Sequence, residues 1–400
     1  MPLSAIQPDA YEQLLRSKIS PLEKAFAALG APTPMVVASP PLAYRLRAEF
    51  RMWHDEEDLF YAMFRSGAPK EPIAINSFPI AAEPIQQLMP ELLQNLRKNT
   101  QLRQKLFQVE FLSTLSGDML VTLIYHRALG DAWEVEAKVL AERLGIKLIG
   151  RSRKQKRVLA EDSVNEILCV ANKEFHFKQP DQAFTQPNGH VNQQMIAWAD
   201  RACKNLSADL LELYCGIGNF TLPLAHRFHR VIATEISKVA TAAAIENRER
   251  NGIVNVEFAR LSAEEMTEAM SGARVFRRLA HLPVPLADYQ LDTLLVDPPE
   301  PGSMRLRSLW QVALTTFYIS PVILKHYSAI YRCCKLPTRS PILHFLTNFP
   351  IPTTLKAAFY SPGEHHDRFN RQRYQHLASH PICLANTRWQ ASAKSSISGL

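Results

Sequence analysis

The stretch Leu210-Leu-Glu-Leu-Tyr-Cys-Gly-Ile-Gly-Asn-Phe220 joins an apolar run to a glycine-containing turn, and a segment compatible with a helix follows it. A buried strand that ends in glycines and leads into a helix is typical of nucleotide-binding α/β sheets. Glycine lets the backbone approach a ligand closely, and the start of the helix offers free N–H groups. Gly216 and Gly218 do not complete a G-x-G-x-x-G motif. A tight turn without a ligand is therefore an alternative interpretation.

Strand and helix patterns alternate after this stretch. Val231-Ile-Ala-Thr234 is followed directly by Glu235, and Thr293-Leu-Leu-Val296 is followed directly by Asp297. This alternation predicts a parallel sheet whose ligand binds at the carboxyl ends of the strands. Glu235 stands where an acid accepts hydrogen bonds from ribose hydroxyls. The alternative is an acid that interacts with the dipole of the next helix.

Three strings carry a resemblance to a known family: Glu212-Leu-Tyr-Cys-Gly-Ile-Gly-Asn-Phe220, Ala233-Thr-Glu-Ile236 and Val296-Asp-Pro-Pro299. Together with Phe184-Thr-Gln-Pro-Asn188 they resemble motifs of the S-adenosylmethionine-dependent RNA 5-methyluridine methyltransferases. The segments beginning at Tyr44 and Leu106 are similar to the bacterial branch that methylates C5 of uracil 54 in the tRNA T-loop. The resemblance extends to Pro299. It implies a class I, Rossmann-like α/β methyltransferase domain preceded by an α+β RNA-binding domain.

The resemblance also implies which residues bind S-adenosylmethionine: Gln186, Tyr214, Gly216, Gly218, Asn219, Glu235 and Asp297. Tyr214 is expected to line the cofactor pocket and Glu235 to hold the ribose. Asp297 is expected to lie beside the methyl donor and the target uracil. The residues alone leave a second role for Gln186, which is to cap the helix that follows it.

The N-terminal region contains a strand pattern with a basic face. Residues 44–53 alternate strictly, so that Arg45, Arg47 and Arg51 point away from the apolar side. Arginines in a row suit a phosphate backbone, and an ordinary solvated sheet face is the alternative. Phe107 is a candidate for stacking on a nucleobase or for a place in the core. The basic run at residues 151–157 is either a solvated loop or a further phosphate contact.

Composition bounds the class of protein. Four hundred residues predict two domains with ample core. No apolar run reaches the length of a membrane helix, and no signal pattern opens the chain, so we expect a cytoplasmic protein without membrane contact. We also expect a monomer. The six cysteines have no metal-ligand spacing. His365-His366-Asp367 resembles a metal cluster on paper, but we expect no metal site.

The last hundred residues differ from the rest. The net charge of +8 arises there, because residues 300–400 hold 12 of the 46 basic residues but only three of the 38 acidic ones. In the family, a cysteine thiolate in a strand-end Ser-Cys-Asn-Pro motif adds to C6 of uracil, and a glutamate near the C-terminus removes the C5 proton. This chain reads Pro321-Val-Ile-Leu-Lys-His-Tyr327 after Tyr318-Ile-Ser320, so the cysteine motif is missing. The family's segment with the glutamate is missing as well.

Back-translation suggests a reason for the loss. Joining the third base of each codon to the first two of the next permits Tyr-Ile-Ser-Cys-Asn-Pro-Glu-Thr-Leu from Tyr318 onward. The same operation from Glu300 permits Arg-Ala-Gly-Leu-Asp-Glu-Thr, the usual continuation in the family. Two motifs in the right order are hard to obtain by chance. We therefore predict a tail read out of frame from about residue 300.

These patterns define three segments and one leading function. Residues 1–180 are predicted to bind RNA, residues 181–299 to bind S-adenosylmethionine, and residues 300–400 to be the aberrant tail. The leading function is that of a tRNA (uracil-C5)-methyltransferase that acts on the T-arm but has lost its nucleophile. The alternatives are a ribosomal RNA 5-methyluridine enzyme, disfavoured by the absence of a cysteine cluster, and a non-catalytic RNA-binding protein.

Overall fold

The computed structural model describes residues 6–28, 33–56, 58–65 and 67–297, and the backbone of three short strands beyond them. The helices are α1 (Tyr11–Ala27), α2 (Glu83–Lys98), α3 (Thr100–Arg103), α4 (Asp131–Leu144), α5 (Gly189–Ala202), α6 (Thr221–Leu224), α7 (Lys238–Arg250) and α8 (Ala263–Met270). The strands up to the middle of the chain are β1 (Pro34–Ala38), β2 (Arg47–Asp55), β3 (Asp58–Arg65), β4 (Ala68–Ile75), β5 (Leu106–Ser113), β6 (Met119–Tyr125), β7 (Lys147–Ser152) and β8 (Gln155–Val158). The remaining strands are β9 (Ser163–Val170), β10 (Lys173–Pro180), β11 (Asp209–Leu213), β12 (Arg230–Thr234), β13 (Val256–Ala259), β14 (Leu291–Val296), β15 (Thr316–Ile319), β16 (Ile342–Phe345) and β17 (Leu355–Phe359).

A parallel sheet of six strands forms the second half of the molecule, in the order β13-β12-β11-β14-β15-β16. The chain moves outward from β11 to β13 and then returns to add β14 on the other side of β11. The strand order therefore reverses between β11 and β14, and ligands of open α/β sheets bind at such a reversal. The predicted Rossmann-like α/β arrangement is confirmed. The tail predicted to be out of frame lies outside the described residues, apart from the backbone of β15, β16 and β17.

The first half of the molecule is built on a sheet of seven strands in the order β4-β3-β2-β5-β6-β7-β8. All neighbours are antiparallel except β6 and β7. Helix α2 contributes to the core below this sheet because its apolar residues recur every three or four positions: Ile85, Leu88, Met89, Leu92, Leu93 and Leu96 are buried. Helix α4 ends at Gly145, whose φ of 61° is left-handed. Sequence periodicity predicts both helices with these bounds.

Two elements connect the halves of the molecule. The antiparallel ribbon β9–β10 runs between the two sheets along the chain, and the 181–188 loop follows it. Helix α1 contributes Leu22 and Phe26 to the same apolar cluster as Leu211 and Leu294 of the parallel sheet. The first helix therefore packs on the parallel sheet, far along the chain from its own position. Strand β1 pairs with β17.

Candidate cofactor site and RNA-facing surface

Three adjacent parallel strands end at the same level. The last residues of β11, β12 and β14 lie directly opposite one another in the hydrogen-bonded register. The next residues in the chain are Tyr214, Glu235 and Asp297, and neighbouring strands are about 4.8 Å apart. The structure therefore brings a tyrosine and two carboxylates from distant parts of the sequence to one edge of the sheet.

The glycine-containing loop turns sharply away from β11. Tyr214, Gly216 and Gly218 have φ values of 61°, 58° and 87°, in the left-handed region that side chains other than glycine rarely adopt. A Cβ added to Gly218 would lie 3.1 Å from Cγ of Leu222. The loop thus needs glycine at 218 for both conformation and space, and it holds Tyr214 in a strained backbone conformation that is common at functional sites.

Glu235 lies between the glycine loop and the start of α7. One carboxylate oxygen accepts a hydrogen bond from the backbone N–H of Gly216 at 3.2 Å, and the other accepts from the N–H of Ser237 at 2.7 Å. The Ser237 contact matches the alternative in which the acid serves the next helix. A carboxylate has about four acceptor positions, so both oxygens retain capacity for ribose hydroxyls.

Gln186 reaches the tip of β14. Its Nε2 atom lies 3.5 Å from Oδ2 of Asp297. The cap of α5 is a different residue, because Oδ1 of Asn188 accepts the hydrogen bond from the N–H of Val191 at 3.1 Å. The capping role considered for Gln186 therefore belongs to Asn188, and the Gln186 side chain is directed to the strand tips.

Asn219 faces helix α5. Its amide exchanges two hydrogen bonds with the amide of Asn192, at 2.8 Å and 2.9 Å. From the far side, Nδ2 of Asn247 donates to the carbonyl of Ile217 at 3.1 Å. Two buried asparagines from flanking helices thus fix the glycine loop. Sequence reasoning missed both, since nothing in the local sequence indicates which loop a helical asparagine will contact.

Glu212 is a buried acid directly beneath the loop, and the sequence prediction gave it no role. Its side chain accepts a hydrogen bond from Oγ1 of Thr221 at 2.6 Å. Burial raises the pKa of Glu212 to about 8, the Thr221 hydrogen bond partly opposes this, and the charge of Asp297 adds to it. Burial likewise raises the pKa of the Cys215 thiol well above its usual range, so Cys215 is an unreactive packing residue.

One further residue at this edge is apolar. Ile236 directly follows Glu235, and 65% of its surface is exposed. Single exposed aliphatic side chains are common on protein surfaces, but this one adjoins the acid proposed to hold a ribose. It therefore presents an apolar surface directly after Glu235 in the chain. The signal in the sequence is only the adjacency of the two residues.

The outer face of the N-terminal sheet carries an aromatic and cationic cluster. The Arg51 guanidinium lies 4.8 Å from the ring centroid of Phe107 and 5.6 Å from that of Phe64. His126, which sequence reasoning missed, stacks on Phe107 with centroids 4.1 Å apart. Phe107 is only half-buried and lies outside the buried core of this sheet. The core interpretation of Phe107 is therefore disfavoured.

The other two predicted arginines are placed differently from Arg51. Arg47 donates to the backbone carbonyls of Asp181 and Ala183, at 2.7 Å and 3.0 Å. Arg45 is half-buried, and its backbone carbonyl accepts a hydrogen bond from the N–H of Ala82. The structure does not group these side chains with the aromatic cluster.

The basic run at residues 151–157 is largely neutralised within the protein. Arg151 pairs with Asp181, and Lys156 contacts both Asp162 and Asp181. Arg157 pairs with Glu134 at 2.5 Å. Three of the five cations are thus engaged in internal ion pairs, which leaves only part of the run available to phosphate.

The described part of the chain contains no group of three or more His, Cys, Asp or Glu side chains arranged to hold a metal ion. Among the helices given above, none combines the length and apolar character needed to cross a membrane. His365-His366-Asp367 lies outside the described residues, so the expectation for that cluster stays a prediction.

Comparisons with known proteins agree with this geometry. The family model described as tRNA (Uracil-5-)-methyltransferase matches residues 10–320. A tRNA/tmRNA (uracil-C(5))-methyltransferase of Acinetobacter baylyi is 50% identical over 295 residues, covering 73% of this chain and 82% of the relative. A protein of the same name from Pseudomonas putida is 50% identical over 299 residues, covering 75% and 82%.

The fold is similar to that of a solved structure, Pyrococcus abyssi tRNA (uracil-54, C5)-methyltransferase in complex with S-adenosyl-L-homocysteine. The TM-score is 0.53 at 15% identity, and the match covers 87% of this chain and 83% of that chain. Identity at this level shows the fold alone, and it confirms the predicted class I methyltransferase fold.

Proposed function

The chain belongs to the tRNA (uracil-5-)-methyltransferase family, and from this premise we propose that it binds S-adenosylmethionine at the strand tips and is built to form 5-methyluridine in the T-loop of tRNA. The observation that supports this most strongly is the alignment of Tyr214, Glu235 and Asp297 at the ends of three adjacent strands. A cofactor that carries a ribose, an apolar base and a charged tail suits such an edge.

The residues present fit this cofactor. The left-handed glycines allow close backbone approach, Glu235 retains acceptor capacity for ribose hydroxyls, and Ile236 presents an apolar surface beside it. Gln186 and Asp297 approach each other at the tip of β14, where they would orient the reacting groups. S-adenosylmethionine supplies an electrophilic methyl group when bound.

The outer face of the N-terminal sheet is the proposed contact for the tRNA T-arm. Phe107 and His126 offer a stacked platform, and Arg51 adds a cation beside it. Nucleobases stack on such platforms, and a base that undergoes chemistry must first leave its own stack. Arg45 remains a prediction for phosphate contact. We also propose that the protein is a cytoplasmic monomer.

The chain as written lacks the group that would activate uracil. C5 of uracil is a poor nucleophile, so a thiolate must first add to C6. The described backbone of β15 runs parallel to β14 with Ile319 opposite Val296, and Ser320 and Pro321 follow it in the sequence. The family's cysteine would stand at this strand end, next to Asp297. We propose that its absence, together with that of the glutamate base, prevents methyl transfer.

Other cysteines do not replace it within the described residues. Cys203 and Cys215 are buried, and Cys169 lies on the exposed side of the ribbon β9–β10. The skewed charge of residues 300–400 and the two motifs recovered by back-translation support an out-of-frame tail. The family model nevertheless runs to residue 320, past Pro299. Sequencing the gene together with peptides from the tail decides whether the frame is broken.

A direct test is incubation of the full chain with methyl-labelled S-adenosylmethionine and unmodified tRNA. We expect tRNA binding with no incorporation above background. Incorporation into tRNA would refute the loss of activity while keeping the family function. Selective binding of a ribosomal RNA fragment over tRNA would favour the ribosomal alternative, and RNA binding without cofactor binding would favour a non-catalytic RNA-binding protein.

A further inference from the structure

Strand β2 of the N-terminal sheet holds the loop that carries Gln186. This loop comprises residues 181–188, between the end of β10 and the start of α5. We infer that Arg47 is a positioning residue of the cofactor site, which fixes this loop so that Gln186 stays beside Asp297. The inference rests on the proposed cofactor site and assigns to Arg47 a role other than phosphate binding.

The guanidinium of Arg47 bridges two carbonyl groups of the loop backbone. Nη2 donates to the carbonyl of Asp181 at 2.7 Å, and Nη1 donates to the carbonyl of Ala183 at 3.0 Å. The planar fork of arginine fixes the direction of both bonds. Since Ala183 is only three residues before Gln186, this contact sets the backbone directly ahead of the residue that reaches the strand tips.

The far end of the loop is held next to the same strand. The backbone N–H of Leu46 donates to the carbonyl of Pro187 at 2.7 Å. A Cβ added to Gly189 would lie 2.7 Å from Cδ1 of Leu46 and 2.9 Å from Cγ of Leu115, so the loop exit packs closely against the N-terminal domain. Gln186 therefore lies between two points that are fixed by Arg47 and by its neighbour Leu46.

Two cations of the basic run at residues 151–157 complete the attachment. The Asp181 side chain is buried, and its carboxylate pairs with Arg151 and with Lys156, the latter at 3.1 Å. A buried carboxylate without partners would be strongly unfavourable. Asp181 is thus held through its side chain by the basic run and through its carbonyl by Arg47.

Arg47 differs from Arg51 although both lie on the same face of β2. The Arg51 side chain is exposed beside Phe107, where a phosphate or a base has access. Two donor nitrogens of Arg47 already serve backbone carbonyls, and its side chain is 31% exposed. An RNA phosphate would have to compete with these bonds.

The test measures binding of S-adenosylhomocysteine by titration calorimetry to the full chain and to Arg47→Gln and Arg47→Lys. We expect Arg47→Gln to weaken binding by about tenfold, because the loop that carries Gln186 loses both charged hydrogen bonds. Arg47→Lys should restore part of the affinity. The matched control is Arg97→Gln, which also removes an arginine bond to a carbonyl, that of Leu59, but far along the chain from this loop. It should leave the affinity unchanged.

Hydrogen exchange of residues 181–188 provides a second measurement. It stays informative even if the Arg47→Gln variant is less stable than the parent. Exchange there should accelerate in Arg47→Gln and not in Arg97→Gln. The inference is overturned if Arg47→Gln binds S-adenosylhomocysteine like the parent but loses tRNA affinity with a salt slope reduced by about one, because that result marks a phosphate contact. A parent chain that does not bind S-adenosylhomocysteine would instead defeat the proposed function.

Discussion

The tips of β14 and β15 are neighbours in the sheet but differ in the residues that their sequences offer. Asp297 follows β14 within the family motif, and the glycine loop and Glu235 lie on the same side of it. Ser320 and Pro321 follow β15, where the family has its cysteine. In our account, cofactor binding depends on β11, β12 and β14, whereas chemistry depends on the residues directly after β15. A chain of this kind can retain cofactor binding and lose catalysis.

The largest expected effect comes from restoring the family's residues at the tip of β15. A gene corrected to the alternative frame from about codon 300 should yield a chain that methylates tRNA at least about 10³-fold faster than the chain as written, because loss of a nucleophile costs that much or more. Labelled S-adenosylmethionine and unmodified tRNA provide the measurement.

Its control is the corrected chain with serine in place of the recovered cysteine, which should be inactive while binding S-adenosylhomocysteine normally. Equal methylation rates for the corrected chain and the present chain would contradict the claim that catalysis depends on the residues after β15.

The buried acid beneath the first tip predicts a pH effect on stability. In the unfolded chain Glu212 loses its proton near pH 4.5, whereas in the folded chain its pKa is about 8. Stability is therefore lost progressively as pH rises from about 4.5 to about 8, by up to ~5 kcal/mol at about 1.36 kcal/mol per pKa unit. The Glu212→Gln variant should not lose stability in this way, because glutamine does not titrate.

The difference in unfolding free energy between Glu212→Gln and the parent should be near zero at pH 4 and should favour the variant above pH 8. Chemical denaturation at the two pH values measures it, and titrating groups that do not interact with Glu212 cancel in the difference. A difference independent of pH would show that folding does not raise the pKa of Glu212.

The smallest effect concerns the proposed RNA contact on the outer face of the N-terminal sheet, which is remote in sequence from both tips. Phe107→Ala should weaken tRNA binding by about 1–3 kcal/mol, the usual worth of one base–aromatic stack. Phe107→Tyr keeps the ring and should retain most of the affinity. Filter binding at fixed salt measures both variants. Unchanged tRNA affinity in Phe107→Ala would show that RNA does not stack on this face of the sheet.

Local patterns predicted the elements well because they depend on neighbours in the chain. The spacing of apolar residues in α2 and the glycine after α4 determine those helices. The order of strand, acid, strand and acid predicted that Glu235 and Asp297 would lie at one edge of the sheet, since parallel strands end at one edge.

Contacts between side chains that only the tertiary fold brings together could not be predicted from the sequence. Strand alternation places Arg47 and Arg51 on one face, but it does not reveal that the 181–188 loop covers only Arg47. The pairing of Asn219 with Asn192 and the stacking of His126 on Phe107 likewise join residues far apart in the sequence or on different elements.

Binding of S-adenosylhomocysteine to the full chain and to Glu235→Ala tests the central claim most directly. We predict saturable binding at one site in the parent, weakened about tenfold or more in the variant because two ribose hydrogen bonds to a charged acceptor are lost. Absence of binding in the parent, or equal affinity in both proteins, would contradict a cofactor site at the aligned strand tips.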